Sequence, residues 1–212
     1  MAAPITHIVL TDKIFNQYFK NKIKKDFFIG VCLPDIRYLK VIERSKTHFN
    51  NLTLDDIKKE KNSFLAGLKF HSLTDMVRER FINSKNIYSL FPESEYITES
   101  LKLLEDNVLY NKINNWNEFI NFLKEILKDE LSFGISEKDI KKWHKTLQGY
   151  FSQYPDNNIR EILLIDLGFS KDIAKKLNFN IEKMEKNKKI IQIIYELYDD
   201  FDSLLFDTNL LS

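Results

Sequence analysis

The 212-residue sequence predicts an all-α protein, a bundle of several helices, from two observations. Apolar residues recur at helical spacing through most of the chain, and only 5 glycines and 4 prolines interrupt them. A β-sandwich or β-barrel needs many tight turns, for which these glycines and prolines are too few. Hydrophobic residues make up 43% of the chain, which excludes a disordered protein.

The best-marked helix is predicted from Thr53 to about Asn83. Asp56 follows Thr53 by three residues, a spacing that suits a capping arrangement at the start of a helix. Gly67 lies inside this helix, where the missing Cβ leaves room for another chain segment or a metal ion to approach. Residues 35–49 are expected to be irregular. Less strongly marked helical patterns cover 5–19, 27–33, 93–110, 115–128, 136–154, 157–167, 171–177 and 181–205.

Charge and cysteine content limit the classes of function. The formal net charge is +1, so no attraction to nucleic acid is expected. The single cysteine, Cys32, cannot form an internal disulfide, which fits a reducing compartment. No apolar run approaches the roughly 20 residues that a transmembrane helix needs, and residues 1–10 do not resemble a signal peptide. The sequence therefore predicts a soluble, cytoplasmic protein, and it makes no prediction about oligomeric state.

Histidines are the most informative residues, because there are only 4 and three of them lie in the first 71 positions. His71 and Asp75 are four residues apart, so both side chains project from one face of the predicted long helix. An imidazole nitrogen and a carboxylate oxygen at that spacing can bind one ion, and zinc accepts both ligand types. Each residue also has an ordinary interpretation. The pair can be hydrogen-bonded, His7 can be a core histidine, and Asp35 can be a turn residue.

Three segments together resemble a known family: Pro4-Ile5-Thr6-His7-Ile8, Phe28-Ile29-Gly30-x-x-x-Pro34-Asp35-Ile36, and Phe64-Leu65-x-Gly67-x-x-x-His71-x-x-x-Asp75. They are similar to the bacterial zinc-dependent phospholipase C family, whose all-α fold and ligand pattern the P1-type nucleases share. The resemblance covers about the first 80 residues and implies one or two Zn²⁺ ions. It implies that one zinc is surrounded by Asp35, His48, His71 and Asp75. It also implies that His7 binds a second zinc, with Asp75 bridging the two ions.

The sequence departs from the family pattern in two places. Secreted family members use an amino-terminal tryptophan as a further ligand, whereas this chain begins Met1-Ala2-Ala3. They also use two further histidines and a glutamate for a third zinc, whereas this chain has only one histidine after Asp75, His144. Glu105 and Asp106 are candidates to replace those ligands. We expect His144 to have a surface or packing role.

The resemblance ends well before the carboxyl terminus, which suggests how the chain is organised. Residues 1–130 are predicted to form the metal-binding helical core. Residues 131–212 are predicted to form a helical carboxyl-terminal extension that packs on the same core. The cluster of turn-forming residues at 131–134 marks the seam between them.

The function implied is that of a zinc-dependent phosphoester hydrolase, in which a metal-activated water attacks a phosphodiester or phosphomonoester. The substrate would be a small-molecule or lipid phosphoester. Asp35 is the candidate catalytic residue, either as a ligand or as general base. Arg78, three residues after Asp75, either binds a phosphoryl oxygen of the substrate or forms an ion pair with a neighbouring carboxylate. Arg37 is a weaker candidate for the same phosphate contact.

Three other interpretations remain open or are disfavoured by particular residues. The chain could be a non-catalytic helical protein with a structural or vestigial metal site, whose helix at 181–205 either binds a partner or completes the core. It could resemble an acyl-carrier-protein phosphodiesterase, which has a similar order of histidine and aspartate. An HD-type phosphohydrolase needs adjacent His and Asp, whereas His48 precedes Phe49 and His71 precedes Ser72.

Overall fold

A computed structural model describes residues 2–91 and 94–206 of the chain. Within these ranges every regular element is helical and no strand occurs, so the all-α prediction is confirmed. The α-helices are α1 Pro4–Tyr18, α2 Lys24–Cys32, α3 Leu54–Lys59, α4 Ser63–Ser84, α5 Ile97–Leu109, α6 Trp116–Phe122, α7 Lys128–Leu131, α8 Glu137–Phe151, α9 Asn157–Asp166, α10 Lys171–Glu185 and α11 Lys188–Leu204. Short 3-10 turns cover Leu33–Leu39, Arg44–Lys46, Ile87–Leu90 and Tyr110–Lys112. No helix of this part of the chain is both long and apolar enough to cross a bilayer.

One hydrophobic core joins residues from both predicted parts of the chain. Apolar side chains of α1, α2 and α4 pack in the same buried cluster as those of α8, α10 and α11. Helix α11 contributes the apolar face that the sequence assigned either to a partner or to the core. Its residues Ile190, Ile193, Ile194 and Leu197 are buried within this chain. The helix therefore completes the core, while the division at residue 130 stays a prediction.

The prediction of one long helix from Thr53 to Asn83 is wrong in one respect, because the structure divides this stretch into two helices, α3 and α4. The predicted capping box is present, since the side chains and backbone amides of Thr53 and Asp56 bond reciprocally. Helix α3 stops at Glu60, whose backbone is extended. The Asn62 side chain then caps α4 by accepting a hydrogen bond from the Leu65 amide. The Lys22 ammonium binds the Glu60 carbonyl from another part of the chain, a contact that no local pattern could indicate.

Other helix boundaries differ in similar ways. Helix α10 runs without a break through residues 178–180, where the sequence predicted a gap, and the chain breaks instead at 186–187. Asn187 caps α11 there by accepting from the Lys189 amide. The helix predicted over 115–128 ends at Phe122, and α7 occupies part of the predicted seam. Glu93, the predicted start of the helix over 93–110, lies outside the described residues.

Helices α2 and α4 touch backbone to backbone through two glycines. A Cβ on Gly67 would lie 1.9 Å from the Phe27 carbonyl oxygen, and one on Gly30 would lie 2.1 Å from the Phe64 carbonyl oxygen. Gly67 therefore makes room for a chain segment, and of the two occupants that the sequence suggested it is helix α2 rather than a metal ion. This contact packs α2 against the amino-terminal turns of α4, which lie next to the part of α4 that carries the candidate site.

We expect Gly67→Ala to destabilise the protein by at least about 2 kcal/mol, because two backbones would have to separate to admit the methyl group. The matched control is Gly149→Ala in α8, where a Cβ would meet no atom within 4 Å. That change is expected to stabilise the protein by about 0.5–1 kcal/mol through helix propensity. Urea denaturation followed by circular dichroism measures both. Equal effects of the two substitutions would contradict the close approach of α2 and α4.

Candidate metal centre

Helix α4 supplies two side chains to a buried cluster of histidine and aspartate. His71 and Asp75 are one turn apart, as their spacing predicts, and the His71 Nε2 lies 3.6 Å from the Asp75 Oδ2. Both side chains are buried, 1% and 5% exposed respectively. The buried carboxylate of Asp75 also accepts a hydrogen bond from the Ala2 backbone amide, at 2.7 Å to Oδ1.

The end of α2 orients the His71 ring. The Val31 carbonyl oxygen lies 2.9 Å from the His71 Nδ1, and a carbonyl can only accept a hydrogen bond. Nδ1 therefore carries the proton, and Nε2 faces Asp75 with its lone pair. Metal-binding histidines are held in this way, with one ring nitrogen donating to a carbonyl and the other free to ligate. The α2–α4 contact through glycine is what brings Val31 within reach.

His7 enters the cluster from the first helical turns of α1. Its ring stacks on that of His71, with centroids 3.8 Å apart, and its Nε2 lies 3.2 Å from the Asp75 Oδ1. Helix α1 begins without a side-chain cap of its own. Asp106 of α5 takes that role from a distance, because its carboxylate accepts from the amides of Ile5 and Thr6.

Asp106 therefore anchors α1. It does not replace a metal ligand, which is the role that the sequence suggested for it. Its remaining donors are the hydroxyls of Thr6 and Tyr150, at 2.7 and 3.0 Å. Burial raises the pKa of Asp106 to about 7, although these four hydrogen bonds favour the charged carboxylate. The positive end of the α1 dipole favours the charged form as well.

His48 reaches the cluster on the segment between the 3-10 turn at Arg44–Lys46 and α3. Its Nε2 lies 3.6 Å from the Asp75 Oδ2, and its Nδ1 lies 3.1 Å from the Thr47 hydroxyl. This segment is tied to α4 directly beside His71, because the Phe49 amide donates to the Ser72 hydroxyl at 3.1 Å. Burial, followed by the charge of Arg44, lowers the pKa of His48 to about 4.

Asp35 completes the cluster from the 3-10 turn Leu33–Leu39, which follows α2. Its carboxylate and the rings of His48 and His71 place one ligand atom each within 4.8 Å of one another. Burial and then the nearby charge of Asp75 raise the pKa of Asp35. The Arg37 guanidinium lies 3.6 Å from the Asp35 Oδ1, which places Arg37 at the edge of the cluster.

We call these five residues the candidate metal centre: His7, Asp35, His48, His71 and Asp75. They form two groups that could each hold a metal ion, His7 with His71 and Asp75, and Asp35 with His48 and His71. Ligand atoms around a tetrahedral zinc, with bonds of about 2.0–2.1 Å, are about 3.3 Å apart. The separations of 3.2 and 3.6 Å between imidazole nitrogens and Asp75 oxygens match that spacing.

The chemistry of the donors also fits a cation. The Nε2 atoms of His48 and His71 are buried and have no hydrogen-bond partner in the described part of the chain. Burial, and then the field of His7, lowers the pKa of His71 well below its usual range, so the ring is neutral at pH 7. Burial opposes the charge on Asp75, but His71 and His7 outweigh it and lower the pKa of this carboxyl. A shared positive ion would stabilise neutral imidazole nitrogens that face a carboxylate without donating a hydrogen bond to it.

Arg78 lies away from this arrangement. Its guanidinium is fully buried and makes a bidentate contact with Glu105 of α5, in which the Nε lies 3.1 and 3.0 Å from the two carboxylate oxygens. Of the two roles that the sequence allowed, the geometry corresponds to the ion pair, and Glu105 is engaged there rather than at the metal centre. His144 is also buried outside the cluster, with its Nε2 2.8 Å from Glu130.

Sequence reasoning missed the groups that hold the cluster in place. The Val31 carbonyl and the Ala2 amide are backbone atoms, so no residue type in the sequence signals them. The contact between Thr47 and His48 could have been predicted from the sequence, because a hydroxyl next to a candidate histidine is a plausible hydrogen-bond partner. A comparison with protein-family profiles, curated proteins and solved structures finds no match to this chain.

Proposed function

We propose that this protein is a zinc-dependent phosphoester hydrolase with a fold of the phospholipase C and P1 nuclease type. The observation that carries the proposal is the approach of three imidazole Nε2 atoms to the two oxygens of one carboxylate, that of Asp75. His7 faces Oδ1, whereas His48 and His71 face Oδ2. A carboxylate placed in this way suits two ions, one on each oxygen, and the proposal includes one or two Zn²⁺.

The five residues of the candidate metal centre would have different roles. His7, His48, His71 and Asp75 would hold the metal. Bound zinc supplies Lewis-acid chemistry and lowers the pKa of a coordinated water toward neutrality. Asp35 either ligates as well or accepts the proton of the attacking water, and burial, which raises the pKa of this carboxyl, makes it a stronger base. Arg37 would contact a phosphoryl oxygen beside Asp35.

A second function, a structural metal site without catalysis, is favoured by one observation. Each of the five side chains is at most 9% exposed, and a catalytic zinc must keep one position open to water or substrate. Asp35 argues for the enzyme, because it lines a cavity of about 330 Å³ that could admit a substrate, although the other four residues are not part of that lining. The substrate in the catalytic case would be a small-molecule or lipid phosphoester.

The test is hydrolysis of bis(p-nitrophenyl) phosphate and of p-nitrophenyl phosphate by protein stripped of metal and then loaded with zinc. We expect zinc-dependent release of nitrophenolate, and a fall in kcat of about a hundredfold or more in Asp35→Asn, as for loss of a general base. His144→Ala, a buried histidine outside the centre, serves as the matched control and should retain activity. Stoichiometric zinc with no turnover of either ester would favour the structural site.

A further inference from the structure

A cavity of about 330 Å³ opens against the candidate metal centre. This volume lies at the lower end of the range for small-molecule sites, about 300–1,000 Å³. One wall comes from the carboxyl-terminal part of the chain and is apolar: Leu163 and Leu164 of α9, Leu167 at the end of that helix, and Phe169 in the connection that follows. Leu103 of α5 also lines it.

The cavity meets the metal centre at its polar end. Asp35 lines it, and so does Ala2, whose backbone amide donates to the Asp75 carboxylate. Arg37 lines the same end, with its guanidinium 4.3 Å from the centre of the Tyr38 ring. Lys102 and Glu99 of α5, the helix that also contributes Leu103, line the cavity as well. A ligand that spans the cavity would therefore have an anionic group at one end and a less polar group at the other.

We propose that this cavity binds the apolar organic group of a ligand whose phosphoryl oxygens are held at the candidate metal centre. The phosphoryl half of this inference rests on the proposed function, whereas the apolar half rests on the leucine and phenylalanine wall. That wall offers no hydrogen bonds to the hydroxyls of a sugar, so burying a polyhydroxylated group there would cost free energy. Alkyl and aryl groups share the chemistry that the wall accepts, and residues 163–169 would select among phosphoesters.

The test measures binding of methyl-, butyl-, octyl- and phenylphosphonate to zinc-loaded, full-length protein by titration calorimetry. A phosphonate is not hydrolysed, so this measurement does not depend on turnover. We expect butylphosphonate to bind about tenfold or more tightly than methylphosphonate, because each buried methylene contributes up to about fourfold. Comparing butyl- with phenylphosphonate distinguishes an alkyl from an aryl preference.

Two substitutions on one segment localise the effect. Leu167→Trp fills the cavity and should abolish the gain with chain length while leaving the affinity for methylphosphonate unchanged. Leu167→Asn makes the same contact polar without added volume and should weaken butylphosphonate binding in the same selective way. The matched control is Ile165→Trp, because Ile165 lies on α9 and is 40% exposed. That variant should bind all four phosphonates like the unmodified protein.

The outcomes separate this inference from the hydrolase proposal. Equal affinity for methyl- and octylphosphonate, or binding of none of them, would overturn the apolar site. Chain-length-dependent binding that Leu167→Trp removes, in a protein that hydrolyses no phosphoester, would support the site and overturn the hydrolase. Hydrolysis of phosphoesters with no preference for an apolar group would support the hydrolase and overturn the apolar site.

Discussion

Replacing His71 with alanine is expected to lower the affinity for zinc at least a hundredfold. His71 belongs to both groups of possible ligands, so its loss affects either ion. Removing only a hydrogen-bond partner of a metal ligand typically costs about 10–100-fold in affinity, and removing a ligand itself costs more. The Val31 carbonyl would keep its position in the variant, but no nitrogen would then face the Asp75 Oδ2 from the middle of α4.

The measurement is competition for zinc against a chromophoric chelator at pH 7, with circular dichroism to show that the variant is folded. His144→Ala is the matched control. Both histidines are buried, and each makes one hydrogen bond through a ring nitrogen. His71 bonds to the Val31 carbonyl, whereas His144 bonds to Glu130 outside the centre. The control should keep its zinc affinity even if it loses stability. Unchanged affinity in His71→Ala would mean that zinc binds elsewhere or not at all.

Much of this centre could be predicted from sequence, for identifiable reasons. His71 and Asp75 lie four apart on a helix, so their juxtaposition follows from helical geometry alone. The approach of His7, Asp35 and His48 does not follow from any local rule. It was predicted only because the order of these residues resembled that of a family. The structure places His7 and His48 beside the Asp75 carboxylate, and it places Asp35 beside the two histidines His48 and His71.

What could not be predicted are contacts made across long stretches of chain. Asp106 caps a helix that begins 102 positions earlier, and an isolated aspartate on α5 gives no sign of such a partner. The break between α3 and α4 likewise has no glycine or proline to mark it. It depends on the Asn62 cap and on a lysine from the α1–α2 connection. Helical periodicity continues across such a break because both helices bury apolar faces in one core.

Replacing Arg78 with methionine is expected to destabilise the protein by about 3–5 kcal/mol, the largest change in folding free energy that we predict. The variant leaves the Glu105 carboxylate, which is fully buried, without its partner. Burial opposes the charge on Arg78, but Glu105 outweighs it and raises the pKa of the guanidinium, which reflects how strongly the two charges depend on each other. Glu79, the other carboxylate on this guanidinium, has a side chain that is 41% exposed and can be solvated by water instead.

The double variant Arg78→Met/Glu105→Leu distinguishes an ion pair from a phosphate contact. Apolar side chains of similar volume often replace a buried ion pair at little cost, so stability should return to within about 1 kcal/mol of the original in urea denaturation. An arginine that binds substrate would leave the stable double variant inactive, whereas a purely structural ion pair would leave zinc affinity and phosphoester hydrolysis intact. A double variant that is as unstable as Arg78→Met alone would contradict the assignment of Glu105 as the group that makes Arg78 necessary. The two residues, which are 27 positions apart in sequence, would then contribute to folding separately.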